Sequence, residues 1–461
     1  MMNTSLEKTR MPVQHPKIRI HNFLEVELGF DTKEAILEAN RCLECKHKPC
    51  VSKCPVHIDV PKFIHEIKMG HFDEAYRVIT EDSMLPSVCG RVCPQESQCE
   101  SVCVRSIKGE SVAIGRLERF VADTHHLNAD ATCPLDIKHN YKKVAIIGSG
   151  PAGLSCACEL LKKGYDITIF EALHQPGGVL TYGIPEFRLP KEIVIKEINQ
   201  LIKHGVTIKT NTIIGKTLYL EELFDLGFQA IFIGTGAGLP QFLSIEGETL
   251  NGVYSANEFL TRVNLMKAYE KDQATPIHQG SIVTVIGGGN VAIDAARSAL
   301  RLGAKEVHVV YRRSFDELPA RKAEVLHAKE EGIIFDLLSS PVKILGNKKG
   351  FVTSIELIKM KLGAIDQSGK RTPHQIEGSN HKLKTDLVII AVGTTPNPLI
   401  AKTTSDLSIN QKGCILTKDD FGLTSKAFVY AGGDAVTGAA TVIEAMGAGK
   451  KSAIAIDHIL S

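Results

Sequence analysis

The chain has 461 residues, with 43% hydrophobic and 23% charged side chains and a formal net charge of +2. That is an ordinary globular balance, long enough for two or three domains, and it gives no reason to expect nucleic acid or a membrane surface as partner. Met1–Ile20 contains no apolar signal-peptide core, and no uninterrupted apolar run reaches the about 18 residues of a spanning helix, so a cytoplasmic protein is expected.

Residues 1–35 read as an extended arm ending in the start of a helix, and residues 36–135 as a helical, cysteine-rich domain. Apolar residues recur at helical spacing in Ile58–Met69 and Phe72–Ile79. The chain has twelve cysteines, and eight of them fall between Cys42 and Cys103. In a reducing compartment such clustering points away from disulfides. The two blocks are Cys42-x2-Cys45-x4-Cys50-x3-Cys54-Pro55 and Cys89-x3-Cys93-Pro94-x4-Cys99-x3-Cys103. Close thiolates ending in Cys-Pro suit iron–sulfur clusters, where the last cysteine of a run can serve a second cluster. Structural zinc favours paired C-x2-C knuckles, and only Cys42/Cys45 form one. Eight cysteines match the ligand count of two four-iron clusters, with other arrangements left open. Cys133, Cys156, Cys158 and Cys414 stand outside the blocks, and Cys156 and Cys158 are expected to be buried small hydrophobes.

A linker is expected around Thr132–Asn140, which includes Pro134. From Lys142 onward the pattern is α/β, with strands at Lys143–Ile147, Asp166–Phe170, Ala230–Ile233, Ser281–Ile286, Glu306–Tyr311, Thr385–Val392 and Phe428–Ala431. One unit, a strand followed by a glycine loop and a helix, occurs twice.

The first copy is Gly148-Ser149-Gly150-Pro151-Ala152-Gly153. It has the strand-before, helix-after context of a dinucleotide fingerprint. Gly148 serves the tight turn, Gly150 the close approach of backbone to pyrophosphate, and Gly153 the packing of helix on strand. The helix N-terminus, which opens with Pro151 and Ala152, offers the free N–H groups that follow Pro151 to phosphate. Glu171 ends the next strand at the spacing for a ribose hydroxyl. The second copy is Gly287-Gly288-Gly289-Asn290-Val291-Ala292, with alanine at the third glycine position. Its next strand ends in Arg312-Arg313 rather than an acid. Two guanidiniums suit a ribose 2′-phosphate, so NADP(H) is expected over NAD(H). Two dinucleotide folds in one chain imply two dinucleotides, or a flavin plus a nicotinamide. The second is chemically richer, and hydride transfer from nicotinamide C4 to flavin N5 would require the two rings to stack.

These residues bring a family into view. The motifs are Arg41-Cys42-Leu43-Glu44-Cys45, Cys89-Gly90-Arg91-Val92-Cys93-Pro94, Ala113-Ile114-Gly115-Arg116-Leu117-Glu118, Pro176-Gly177-Gly178-Val179-Leu180 with Gly183-Ile184-Pro185, Leu318-Pro319-Ala320, and Ala431-Gly432-Gly433-Asp434. With them, from about Asn22 to the end, the chain resembles the small (beta) subunit family of NADPH-dependent glutamate synthase. Related proteins are the flavoprotein subunit of NADH-dependent ferredoxin:NADP oxidoreductase, the sulfide dehydrogenase alpha subunit and the N-terminal half of dihydropyrimidine dehydrogenase.

The resemblance implies two [4Fe-4S] clusters. Cys42, Cys45, Cys50 and Cys103 would hold one, and Cys54, Cys93, Cys99 and the carboxylate of Glu118 the other. Sequence alone leaves Cys89 and Glu118 as alternatives for the eighth ligand. The resemblance also places Gly148, Gly150, Gly153 and Glu171 at the ADP half of FAD, and Gly178, Leu180 and Ile184 near the flavin. Gly433 and Asp434 would lie along the ribityl–pyrophosphate section. Thr441 would open a helix facing the isoalloxazine, and Gly236 would lie at a crossover of the FAD domain. NADP(H) would use Gly287, Gly289, Asn290, Val291, Arg312 and Arg313. No side chain is expected to act as acid or base in hydride transfer.

The expected fold is α/β: an N-terminal α-helical iron–sulfur domain, then two Rossmann-like dinucleotide-binding domains, the NADP domain inserted in the FAD domain. The expected boundaries are 141–250 and 394–461 for FAD and 251–393 for NADP(H). The expected function is an NADPH-oxidising oxidoreductase feeding electrons to glutamate synthesis from glutamine or ammonia and 2-oxoglutarate. It would act through an electron-accepting flavoprotein subunit in a hetero- or homo-oligomer. Alternatives are the large flavoprotein subunit of an electron-bifurcating oxidoreductase or sulfide dehydrogenase and, from another class, a structural iron–sulfur adaptor, against which both glycine loops and the arginine pair argue.

Overall fold

The computed structural model describes residues 3–127, 137–366 and 369–461. Cys133 and part of the expected linker lie outside the described residues. The N-terminal region is helical: its main helices are Thr32–Ala39, Val60–Met69, Phe72–Asp82, Pro86–Val92 and Ile114–Leu127. Asp31 and Glu34 form a reciprocal cap on the first. In Val60–Met69 the residues Val60, Phe63, Ile64 and Ile67 are buried, which is the spacing of one helix face, and Gly70 in a left-handed conformation ends it.

Two five-stranded sheets follow, parallel throughout. The first runs Val429–Ala431, Ala230–Ile233, Lys143–Ile147, Asp166–Phe170, Thr207–Lys209. The second runs Val253–Ser255, Leu387–Ile390, Ile282–Ile286, Glu306–Tyr311, Ile334–Leu337. Their inner strands are apolar nearly from end to end because both faces are covered, in the second sheet by helices on one side and by strands Ser339–Gly346 and Val352–Ile365 on the other. The first sheet takes its edge strand Val429–Ala431 from far beyond the second, so the second sheet is an insertion in the first. The two connecting segments lie side by side, Leu239–Pro240 pairing antiparallel with Thr394–Thr395. A four-stranded antiparallel sheet, Ser339–Gly346, Val352–Ile365, Arg371–Gln375 and His381–Lys384, extends the inserted region. No described helix is long and apolar enough to cross a membrane.

The pieces are fastened by buried charge. Arg19 of the N-terminal arm is fully buried and donates to Glu331 at 2.7 Å and Glu330 at 2.8 Å. Arg297 and Arg301 also bind Glu331, and Arg297 pairs with Glu324. Arg188, from the loop after the first sheet's second strand, reaches Asp294 at 2.6 Å and Glu324 at 3.3 Å. Phe187 lies under the guanidiniums of Arg297 and Arg301, at 4.7 and 4.0 Å from its ring centre. Such ions are tolerated in the interior because each meets an opposite charge.

Candidate functional site

The first glycine loop is closed by backbone contact. A Cβ on Gly148, whose φ is +98°, would fall 2.6 Å from the Gly234 carbonyl oxygen, and one on Gly153 would fall 2.0 Å from the Gly148 carbonyl oxygen. Gly150 faces open space and caps helix Pro151–Lys162, whose first turn includes Ala152 and Gly153. Glu171 is buried. Its Oε2 accepts from Ser149 N at 3.0 Å and Ser149 Oγ at 2.5 Å, and its Oε1 from Leu173 N at 2.8 Å. Ser149 Oγ in turn accepts from Gly177 N at 3.0 Å. Sequence reasoning passed over Ser149, whose hydroxyl between two fingerprint glycines was the available signal.

Three separate segments meet this loop. Gly178 abuts it, since a Cβ there would lie 2.8 Å from Gly150 Cα. Leu180 and Ile184 follow on the same short helix and turn, both buried. A Cβ on Gly433 would lie 3.0 Å from Ala152 Cβ. Asp434 beside it accepts from Ala440 N at 3.2 Å, and burial pushes its carboxyl up to about 6. Thr441 caps helix Val442–Leu460 in a reciprocal box with Glu444. Gly236, in a left-handed conformation, leaves open space around it.

In the second loop Gly287 presses on the Ala391 carbonyl, where a Cβ would come within 2.3 Å, while Gly289 is open. Asn290 starts helix Asn290–Arg301, and its Oδ1 accepts from Arg321 N at 2.9 Å. Val291 is exposed. Arg313 Nε donates to the Arg371 carbonyl at 2.8 Å, and its Nη2 pairs with Asp366 at 3.2 Å. Arg312 is exposed and bonds to no described side chain or backbone group. Arg371, Asp366 and Arg321 were not anticipated, because their proximity arises from tertiary folding alone.

The cysteines fall into two groups that cut across the sequence blocks. Cys42, Cys45, Cys50 and Cys103 line one small cavity together with Val60, Ile64, Val112 and Ile114. Burial pushes the Cys50 thiol up to about 12, and Cys42 and Cys103 add to the effect. In the other group, Glu118 raises the proton affinity of Cys54, Cys93 and Cys99, and Cys54 that of Cys93 and Cys99. Burial pushes Cys54 up to about 11 and Glu118 to about 8, Glu197 contributing to the latter. Glu118 Oε1 is buried with no hydrogen-bond partner. Cys89 belongs to the same surroundings: its thiol interacts with that of Cys93, it raises the proton affinity of Cys54, and its sulfur stands 3.5 Å from Met446 Sδ. Among the described residues no three His, Cys, Asp or Glu side chains converge on a single-ion site, whereas a four-iron cluster takes its ligands on four separate iron atoms.

Residues 19–130 match the family model described as dihydropyrimidine dehydrogenase domain II, 4Fe-4S cluster, and residues 142–449 match the pyridine nucleotide-disulphide oxidoreductase model. The chain is 38% identical to the NADP(+)-dependent formate dehydrogenase subunit beta of Moorella thermoacetica over 89% of its own length, and spans only 60% of that relative. It is 34% identical to the glutamate synthase [NADPH] small chain of Escherichia coli K12, covering 97% of this chain and 96% of that one. Among solved structures, Mycobacterium tuberculosis FprA in complex with NADPH shares the fold, with a TM-score of 0.58 and 21% identity over 70% of this chain and 85% of FprA. The chain belongs to the glutamate synthase small-chain family of FAD- and iron–sulfur-containing oxidoreductases.

Proposed function

We propose that the chain oxidises NADPH at its inserted dinucleotide domain and delivers the electrons, one at a time, through two [4Fe-4S] clusters to an acceptor flavoprotein chain that makes glutamate. The observation that carries this reading is the position of helix Val442–Leu460. A Cβ on Gly449 would lie 2.1 Å from the Ala152 carbonyl oxygen, and one on Gly447 would lie 2.7 Å from the Pro55 carbonyl oxygen. One helix therefore touches the first glycine loop's helix on one side and the Cys54-Pro55 turn on the other, so the two redox places share a wall.

The donor chemistry suits the groups the family carries. Cys42, Cys50, Cys54, Cys93, Cys99 and Glu118, held toward their neutral forms, need a cation to become ligands, which iron would supply with release of protons. Cys42, Cys45, Cys50 and Cys103 would hold one cluster. Cys54, Cys93, Cys99 and Glu118 would hold the other, a choice supported by the orphaned Glu118 oxygen. The bound groups supply hydride acceptance at the flavin and one-electron transfer at iron.

The chain's own residues bind, orient and exclude water. Gly148, Gly153, Gly178 and Gly433 let the segments of the FAD cradle close on one another, Gly150 and Gly236 leave open space, and Pro151 and Ala152 open its helix. Glu171 would meet the ribose and Asp434 the ribityl chain, Thr441 sets the helix N-terminus, and Leu180 and Ile184 would close the apolar side. Gly287, Gly289, Asn290 and Val291 would receive the nicotinamide dinucleotide, and Arg312 and Arg313 its 2′-phosphate. The free cysteines throughout the described chain accord with a cytoplasmic setting.

The test is an anaerobic titration with NADPH and then NADH, following flavin and cluster absorbance. Bleaching at stoichiometric NADPH, with little from NADH, supports the reading. No bleaching in protein that contains FAD and iron removes it. Glutamate formation on mixing with a glutamate synthase large chain tests the acceptor separately.

A further inference from the structure

The segment Leu318–Lys322 joins two places that the reaction itself does not require to be joined. On one side it covers the second glycine loop. A Cβ on Gly288 would lie 2.7 Å from Leu318 Cδ2, Ala320 N donates to the Gly288 carbonyl at 3.3 Å, and Arg321 N donates to Asn290 Oδ1 at 2.9 Å. On the other side it enters the cysteine domain. Arg321 Nη1 donates to the Arg91 carbonyl at 2.6 Å and its Nη2 to Gln95 Oε1 at 3.3 Å. Lys322 N donates to Glu96 Oε1 at 3.2 Å. The Arg321 side chain is 10% exposed; Glu96 stands 3.8 Å away at the rim, and the buried Glu324 also feels its charge.

Arg91, Gln95 and Glu96 bracket Cys93. Gln95 Nε2 donates to the Cys89 carbonyl at 3.1 Å, the same oxygen that accepts Cys93 N at 3.1 Å. Gln95 is also clamped on the helix that carries Glu118, since a Cβ on Gly115 would come within 2.2 Å of its side-chain nitrogen. A guanidinium here is thus bonded into the turn of one ligand and, through Gln95, rests on the helix of another. Its main-chain nitrogen is bonded to the nucleotide loop.

We propose that Arg321 is a positioning residue that ties the state of the nucleotide loop to the reduction potential of the cluster held by Cys54, Cys93, Cys99 and Glu118. The inference rests on the ligand set given above. A buried positive charge beside a cluster favours the reduced, more negative form and so raises its potential. Nucleotide seated on Gly287–Asn290 bears on the Arg321 peptide and shifts the guanidinium. By linkage, the factor by which NADP+ changes reduction of that cluster is the factor by which reduction changes NADP+ affinity. The cluster held by Cys42, Cys45, Cys50 and Cys103 has no such contact with Arg321 and stays unaffected.

The experiment is an EPR-monitored redox titration of the anaerobic full-length protein, with and without NADP+, for the native chain, Arg321→Gln and Arg321→Lys. NADP+ is expected to shift the potential of one cluster in the native chain. Arg321→Gln should lower that potential and abolish the NADP+ shift. Arg321→Lys, which keeps the charge but not the fork, should restore the potential more than the shift. If NADP+ moves neither potential in the native chain, the inference is overturned with no variant needed. If both clusters move together in Arg321→Gln, the effect is general and the inference is likewise overturned. Native protein with iron for one cluster only would overturn the ligand assignment, and this inference with it.

Discussion

Arg188 Nη1 lies 2.6 Å from Asp294 Oδ2, a buried bond between the first dinucleotide fold and the first turns of the second fold's glycine-loop helix. Arg188→Met leaves the Asp294 and Glu324 carboxylates without one of their cations. Removing one partner of a buried pair costs about 3–5 kcal/mol. The expected result is a matching loss in urea-unfolding free energy, with part of it regained in Arg188→Met/Asp294→Leu, where no acid is left stranded at that position.

Arg312 is free to meet a ligand, whereas Arg313 is held by the Arg371 carbonyl and Asp366. A charged hydrogen bond contributes about 1.5–3 kcal/mol. Arg312→Ala should therefore raise the KM for NADPH about 10- to 100-fold and leave that for NADH nearly unchanged. Equal losses with both cofactors in steady-state assays would show that Arg312 does not read the 2′-phosphate.

Glu118 and Cys89 can be separated by iron analysis. Glu118→Ala is expected to lose about half the iron and sulfide, on the ligand count of two four-iron clusters. Cys89→Ala should keep both clusters, as the proposed ligand set requires. The reverse pattern would exchange their roles.

His308 is bonded through Nδ1 to Asp336 and through Nε2 to Glu306, both at 2.6 Å. With a carboxylate on each nitrogen the ring is held as imidazolium. Its pKa is raised above 6.5, first by the Asp336 bond and also by Glu306, against the opposing effect of burial. The folded value exceeds the unfolded one, so the stabilisation is complete below the unfolded pKa and is lost as pH rises through the folded pKa. Thermal unfolding of His308→Gln should lack that alkaline-side decline, and an unchanged pH profile would exclude His308 as its source.

Gly447→Val should separate flavin reduction from cluster reduction. Its side chain would meet the Pro55 carbonyl, 2.7 Å from where a Cβ would stand, and push the helix off the Cys54 turn. In stopped-flow spectra the flavin should bleach at close to the native rate and the clusters more slowly. Equal slowing of both would point to a global packing defect.

The sequence was most legible where backbone geometry dictates residue type. The apolar strands of both parallel sheets and their glycine turns follow from local chemistry, and the α/β insertion pattern was readable from them. The antiparallel sheet from Ser339 to Lys384 was not, since its strands mix lysine, glycine and serine with few apolar runs. At the candidate site the motif residues were readable one by one. Their companions were not: Ser149 under Glu171, Arg371 behind Arg313 and Arg321 against Asn290 are partners that only the folded chain brings near. The fully buried Arg19 and Arg297 look in sequence like surface charge, because nothing local announces the acids that will meet them.

The first sheet takes four of its strands from residues 143–233 and its fifth from Val429–Ala431. On the ribosome, the inserted domain emerges whole while the surrounding one still lacks its edge strand and the helix that follows. The nucleotide domain can therefore consolidate first, although it comes second in the chain. The FAD cradle and the wall it shares with the Cys54 turn have to wait for the closing segment. The sheet around the first glycine loop is thus complete only once the last roughly thirty residues, 429–461, are made.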